Sequence, residues 1–118
     1  MGLRDLKQRT KLFALDVITF VESLPRSRTA EILGRQLLRS GTSVRANYRS
    51  ACRARSTAEF ISKKGIVEEK VDESIYWMEL LVEGGIIQLK DAHNLITEGN
   101  ELLAIVISSI KTARNNRK

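Results

Sequence analysis

The sequence predicts an all-α protein, an antiparallel up-down-up-down four-helix bundle in a single domain. Three observations predict it. Apolar residues recur at spacings of three, four and seven along four long stretches, the period of a helix with one buried face. Helix-favouring Leu, Ile, Ala, Glu, Lys and Arg are abundant, while the 118 residues hold one proline and 5% aromatics. The breaks between stretches are short, as in bundles whose neighbours run antiparallel. A chain of this length is expected as one domain and buries a core without metal or disulfide staples.

The first helix is expected over residues 5–24, where Leu6, Phe13, Val17, Phe20, Val21 and Leu24 share a face. Pro25 stops it, because the residue before a proline is pushed away from the α region. The second helix is expected over 29–54, with Ser27 or Thr29 as its cap. Its apolar side is Ala30, Leu33, Leu37, Val44, Tyr48 and Ala51, with Gly41 and Cys52 at the margin. Gly41, beside Thr42 and Ser43, predicts a close helix crossing or a slight bend.

Ser56-Thr57-Ala58-Glu59 is a capping box, in which serine and glutamate each satisfy the other's backbone donor. It opens a third helix over 57–82 with a core stripe of Phe60, Val67, Val71, Ile75, Met78 and Val82. Gly84-Gly85 supplies the stop and turn. Gln88 is the expected cap of a fourth helix over 89–114, and Asp91 lies where the helix dipole favours an acid. Its seam is Ala92, Leu95, Ile96, Leu102, Leu103, Val106, Ile110 and Ala113, and residues 115–118 form a short basic tail.

Charge is unevenly placed. The net charge is +6, divided as +1 over residues 1–25, +7 over 26–55, −4 over 56–83 and +2 over 84–118. Arg28, Arg35, Arg39, Arg49 and Arg53 fall opposite the apolar side of the second helix, with Arg45 between the two sides. Two readings follow. The arginines form a solvated surface, ion-paired to the acidic third helix. Or they bind phosphate, since a planar guanidinium contacts phosphates and carboxylates alike in bidentate fashion.

The third helix carries a second stripe, Ile66, Trp77 and Leu80, with Glu69 and Glu73 among them. A bundle helix with one buried face has no need of a tryptophan on another. Apolar surface with a few charges marks protein–protein contacts, so Ile66, Glu73, Trp77 and Leu80 are the expected interface between copies of the chain. Glu73 would be desolvated there and would need a partner, an arginine above all. The alternative is that Trp77 lies flat at the edge of the bundle core.

Catalytic signals are weak. The one histidine, His93, is expected at the surface, and with Cys52 it is too little for a zinc or di-iron site. No phosphate-binding glycine loop and no nucleophile elbow occurs. Neither an enzyme nor a cofactor is expected. The single cysteine excludes an internal disulfide and suits a reducing compartment. With no apolar leader and no run of about 18 apolar residues, a cytoplasmic location is expected, without membrane contact.

Residues 40–81, SGTSVRANYRSACRARSTAEFISKKGIVEEKVDESIYWMELL, closely resemble the intervening-sequence proteins of bacterial large-subunit ribosomal RNA genes, the S23 proteins. Residues 101–114, ELLAIVISSIKTAR, are similar to that family's last helix. The resemblance implies a four-helix bundle assembling as a ring, often a homopentamer, encoded within ribosomal RNA insertions or by free-standing genes. A related group comprises the accessory proteins of diversity-generating retroelements. Its basic ring looks like a platform for reverse transcriptase and nucleic acid, which implies RNA, DNA or a reverse transcriptase as partners here. The family supplies no catalytic residues. Arg39, Arg45, Asn47, Tyr48, Arg49 and Arg53 match its basic signature. The function expected is therefore non-enzymatic association with nucleic acid through Arg35, Arg39, Arg45, Arg49 and Arg53. The alternative is a structural or protein-binding oligomer whose arginines pair with carboxylates within and between subunits.

Overall fold

The computed structural model describes residues 3–116, with side chains from Leu6 onward. Four helices follow one another: α1 (Leu3–Glu22), α2 (Arg28–Cys52), α3 (Thr57–Glu83) and α4 (Leu89–Asn115). They form a rod of 51 × 20 × 20 Å in which each helix packs on its neighbours in the chain and α1 closes on α4. Of the expected basic tail, Arg117 and Lys118 lie outside the described residues.

Local chemistry sets the helix ends. α1 stops at Glu22, short of the limit set by Pro25. The Ser23 hydroxyl donates to the Phe20 carbonyl at 2.6 Å, and the Ser23 and Leu24 amides turn to carbonyls three residues back. This tightens the last turn before proline can end it. Ser27 rather than Thr29 caps α2, its hydroxyl accepting from the Ala30 amide at 3.1 Å. At α3 the Ser56 hydroxyl accepts from the Glu59 amide at 3.1 Å. The Glu59 carboxylate reaches one residue further back than the capping box predicts, accepting from the Arg55 amide at 2.8 Å. Between α3 and α4, Gly85 takes φ 77°, where a side chain would be strained, and the Ile86 amide donates to the Leu81 carbonyl. The Asp91 carboxylate then accepts from the Gln88 amide at 3.1 Å.

Phe13, Val17, Leu37, Val44, Tyr48, Val67, Val71, Met78, Leu81, Leu102 and Val106 are shut away from solvent along the axis. Two glycines let helices meet there. A Cβ at Gly41 would lie 2.7 Å from Val17 Cγ1, and one at Gly99 would lie 2.9 Å from Ile75 Cγ1. The close crossing expected at Gly41 is therefore made with α1. On α3 the buried arc is wider than predicted: Ile61, Lys64, Ser74 and Leu81 are buried, while Phe60 and Val82 are only partly so. α3 lies between α2 and α4 and is covered on two sides, which a single stripe does not anticipate. Cys52, expected at the core margin, is exposed, because α2 ends there.

Candidate nucleic-acid interface

The apolar side of α2 seats on α1 and α3, which turns its basic side outward. Arg28, Arg35, Arg39, Arg49 and Arg53 are exposed; Arg45, at the margin, is partly buried. Its Nη1 is buried with no hydrogen-bond acceptor, a position of real cost for a charged donor.

The ion pairing expected between α2 and α3 is not made within the subunit. Among the described residues the ion pairs are Arg9 with Glu98 (2.7 Å), Arg9 with Glu101 (2.9 Å) and Lys70 with Glu73 (3.4 Å). The reason is rotational. The α2–α3 seam holds small polar groups, with the Ser74 hydroxyl donating to the Ser40 hydroxyl at 3.0 Å, and the arginines lie on the outer side of α2 or at the rim of this seam.

Two shallow clefts collect the basic groups. Arg39 lines one of about 170 Å³ with Gln36, Ser40, Ser43, Lys70 and Glu73. It thus faces the acid that sequence singled out, with no ion pair between them. Arg49, Arg53 and Arg55 line the other, with Ser50 and Glu59. The five predicted arginines therefore share one side of α2, but Arg39 opens toward α3 while Arg49 and Arg53 gather at the C-terminal end.

The α3 patch is less free than its sequence implies. Ile66, Trp77 and Leu80 are partly buried, and Trp77 packs against the core. Its ring meets Tyr76 edge-to-face, with centroids 4.9 Å apart and an interplanar angle of 66°. Tyr76 itself is 53% exposed. Glu73 is exposed in the subunit.

Lys64 was missed by sequence reasoning. Its side chain is wholly buried, its ammonium bonded to the Ser109 hydroxyl and set 4.9 Å from the Phe60 ring centre and 5.6 Å from that of Tyr48. Burial pushes its pKa down, opposed in part by Cys52. Burial also pushes the Tyr48 hydroxyl up, helped by a hydrogen bond with Cys52. The spacing held the signal: Lys64 stands three before Val67 and seven before Val71, on the core face. Among the described residues no group of three or more His, Cys, Asp or Glu is placed to hold a metal ion. None of their helices is long and apolar enough to cross a membrane.

Residues 4–108 match the model of the 23S rRNA-intervening sequence protein family. This chain belongs to that family. A crystal structure of a protein with unknown function from the S23 ribosomal protein family of Bacteroides thetaiotaomicron is similar over 94% of this chain and 99% of that one. The two share 32% sequence identity and a TM-score of 0.88. No curated protein matches the chain. Membership in the intervening-sequence family thus agrees with the resemblance carried by residues 40–81.

Proposed function

We propose that this family member is a non-enzymatic bundle that associates with nucleic acid through Arg35, Arg39, Arg45, Arg49 and Arg53 and works as a ring-like assembly of copies, a homopentamer in the simplest case. One observation supports the binding half: none of these arginines is ion-paired among the described residues. Guanidinium groups left open on one helix side suit phosphate oxygens, which they contact in bidentate fashion. No aromatic ring is interleaved with them, since Tyr48 is buried. The contact is therefore to the backbone, without reading of bases. Repetition of the surface around an assembly adds avidity. A titration with structured RNA and with duplex DNA tests this. Binding at about 50 mM salt that falls steeply by about 200 mM supports it, as counterion release requires, and absence of binding at the lower salt ends it.

A second reading is favoured by the cleft that Arg39 shares with Glu73. Here the arginines meet carboxylates of neighbouring copies, and Ile66, Glu73, Trp77 and Leu80 lie in the contact. Glu73→Ala would then weaken assembly, and light scattering showing an unchanged oligomer in dilute solution counts against it.

A further inference from the structure

The bundle has two unlike long sides, and they face opposite ways. One is the outer side of the α1–α2 pair. Lys7, Lys11, Leu15 and Ile18 run along α1 there, all exposed, with Leu15 at 48% and Ile18 at 41%, and Arg35 stands beside them on α2. The other is the outer side of the α3–α4 pair. It carries Glu68, Asp72, Tyr76 and Glu79 on α3 and Ile107, 46% exposed, on α4. One side is thus mainly basic and aliphatic, with Glu31 one turn from Arg35, and the other mainly acidic with exposed aromatic and aliphatic groups, with Lys111 one turn from Ile107. None of the five acids and bases Lys7, Lys11, Arg35, Asp72 and Glu79 has an ion-pair partner among the described residues.

The two sides also match along the rod. α1 and α3 run in the same direction, and two contacts fix their relative level. Phe13 and Ile75 meet around Gly99 of α4, an offset of 62 residues. Val17 meets Gly41, whose neighbour Ser40 is bonded to Ser74, an offset of 57. Between these limits, at an offset of 61, Lys7 comes level with Glu68, Lys11 with Asp72 and Leu15 with Tyr76, each to within about one turn, or ~6 Å. α2 runs the other way, and counting from the Ser40–Ser74 bond, Arg35 lies five residues before and Glu79 five after. A copy set alongside without sliding along the axis therefore brings Lys7 and Lys11 toward Glu68 and Asp72, Leu15 toward Tyr76 and Arg35 toward Glu79.

We infer that the acidic α3–α4 side of one copy docks on the basic α1–α2 side of the next. The inference rests on the self-association half of the reading above and names the surface that the α3 patch meets. Tyr76 touches Trp77, so this side borders the Trp77 patch, whose Glu73 lies in the α2–α3 cleft. The contact is front to back, which forms a closed ring when the turn between successive copies closes and an open filament when it does not. It also divides the arginines. Arg35 and Arg53, 18 residues or five full turns apart, lie at the same angle on the side that meets the neighbouring copy, while Arg39 opens toward α3.

Charge reversal on the full chain tests it, with size measured by analytical ultracentrifugation and folding by circular dichroism. Lys7→Glu with Lys11→Glu should weaken association at least about tenfold, since like charges then face each other across the contact. Glu68→Lys with Asp72→Lys should do the same. An equimolar mixture of the two variants, or one chain carrying all four changes, should recover assembly. Lys7, Lys11 and Asp72 are exposed and Glu68 is half-buried, so each variant is expected to keep the helical spectrum. A wild-type chain that stays monomeric at about 100 µM overturns the inference, that concentration being enough for any contact with a micromolar Kd. So does undiminished association of the Lys7/Lys11 variant, or failure of the mixture to recover it. RNA affinity of the same variants at low salt reports separately on the nucleic-acid reading, which stands if binding persists in dispersed subunits.

Discussion

Gly41 lies so close to Val17 that a Cβ on the glycine would come within 2.7 Å of the valine Cγ1. Val17 is wholly buried. Gly41→Ala should therefore destabilise the bundle. Overpacking costs about 1–3 kcal/mol, set against about 1 kcal/mol gained in helix propensity, for a net loss of up to about 2 kcal/mol. Urea denaturation measures it. Combining Gly41→Ala with Val17→Ala should cost less than the sum of the two, because the added methyl then fills the space left by the valine.

Lys64 predicts a pH effect of definite sign. Burial holds its pKa below the usual 10.5, so the native state binds fewer protons than the unfolded state between the lowered value and 10.5. The cost of burying the ammonium is full below the folded pKa, and stability rises with pH through that window. The rings of Tyr48 and Phe60 and the Ser109 hydroxyl offset part of it. Lys64→Met should stabilise the protein at neutral pH by something on the order of 1 kcal/mol, as when buried ions give way to apolar groups of similar volume. It should also remove that rise, as seen in denaturant midpoints taken from pH 7 upward.

Arg9 clasps α1 to α4. Its Nε and Nη2 donate to the two oxygens of Glu98 at 2.9 and 2.7 Å, and Nη2 also donates to Glu101 at 2.9 Å. The hydrogen bond with Glu98, more than that with Glu101, holds the guanidinium protonated beyond its ordinary range. Both carboxylates are part-exposed, so the clasp is worth the modest amount of a surface network. Arg9→Met should lower stability by about 0.5–1 kcal/mol, and the difference should shrink in molar salt. Thermal melts at two salt concentrations provide the check.

Arg49 and Arg53 line one cleft. Changing both to glutamine should weaken binding to RNA and DNA alike and reduce the slope of log K against log salt by roughly 2. Anisotropy titrations over a salt series read both effects.

The number of helices, their ends to within two or three residues, the caps at Ser27 and Ser56 and the crossing at Gly41 were all legible in the chain. Each depends on periodicity or chemistry within one or two turns. Much of the core was legible too: Phe13, Val17, Leu37, Val44, Tyr48, Val67 and Val71 are buried as their spacing requires. The candidate arginines could be placed on one side of α2, but whether carboxylates covered them could not.

That second kind of fact needs the packed molecule. Arg9 meets Glu98 across 89 positions of sequence, and Lys64 reaches Ser109 across 45. The acidic α3 leaves the α2 arginines unpaired although the two segments carry opposite charge. Periodicity says which side of a helix avoids water. It leaves open how far each helix turns about its own axis and at what level its neighbour stands. Those two quantities follow from how side chains interlock across the seams, at Gly41, Gly99 and the Ser40–Ser74 bond, and they decide which charges meet and which remain open to a partner.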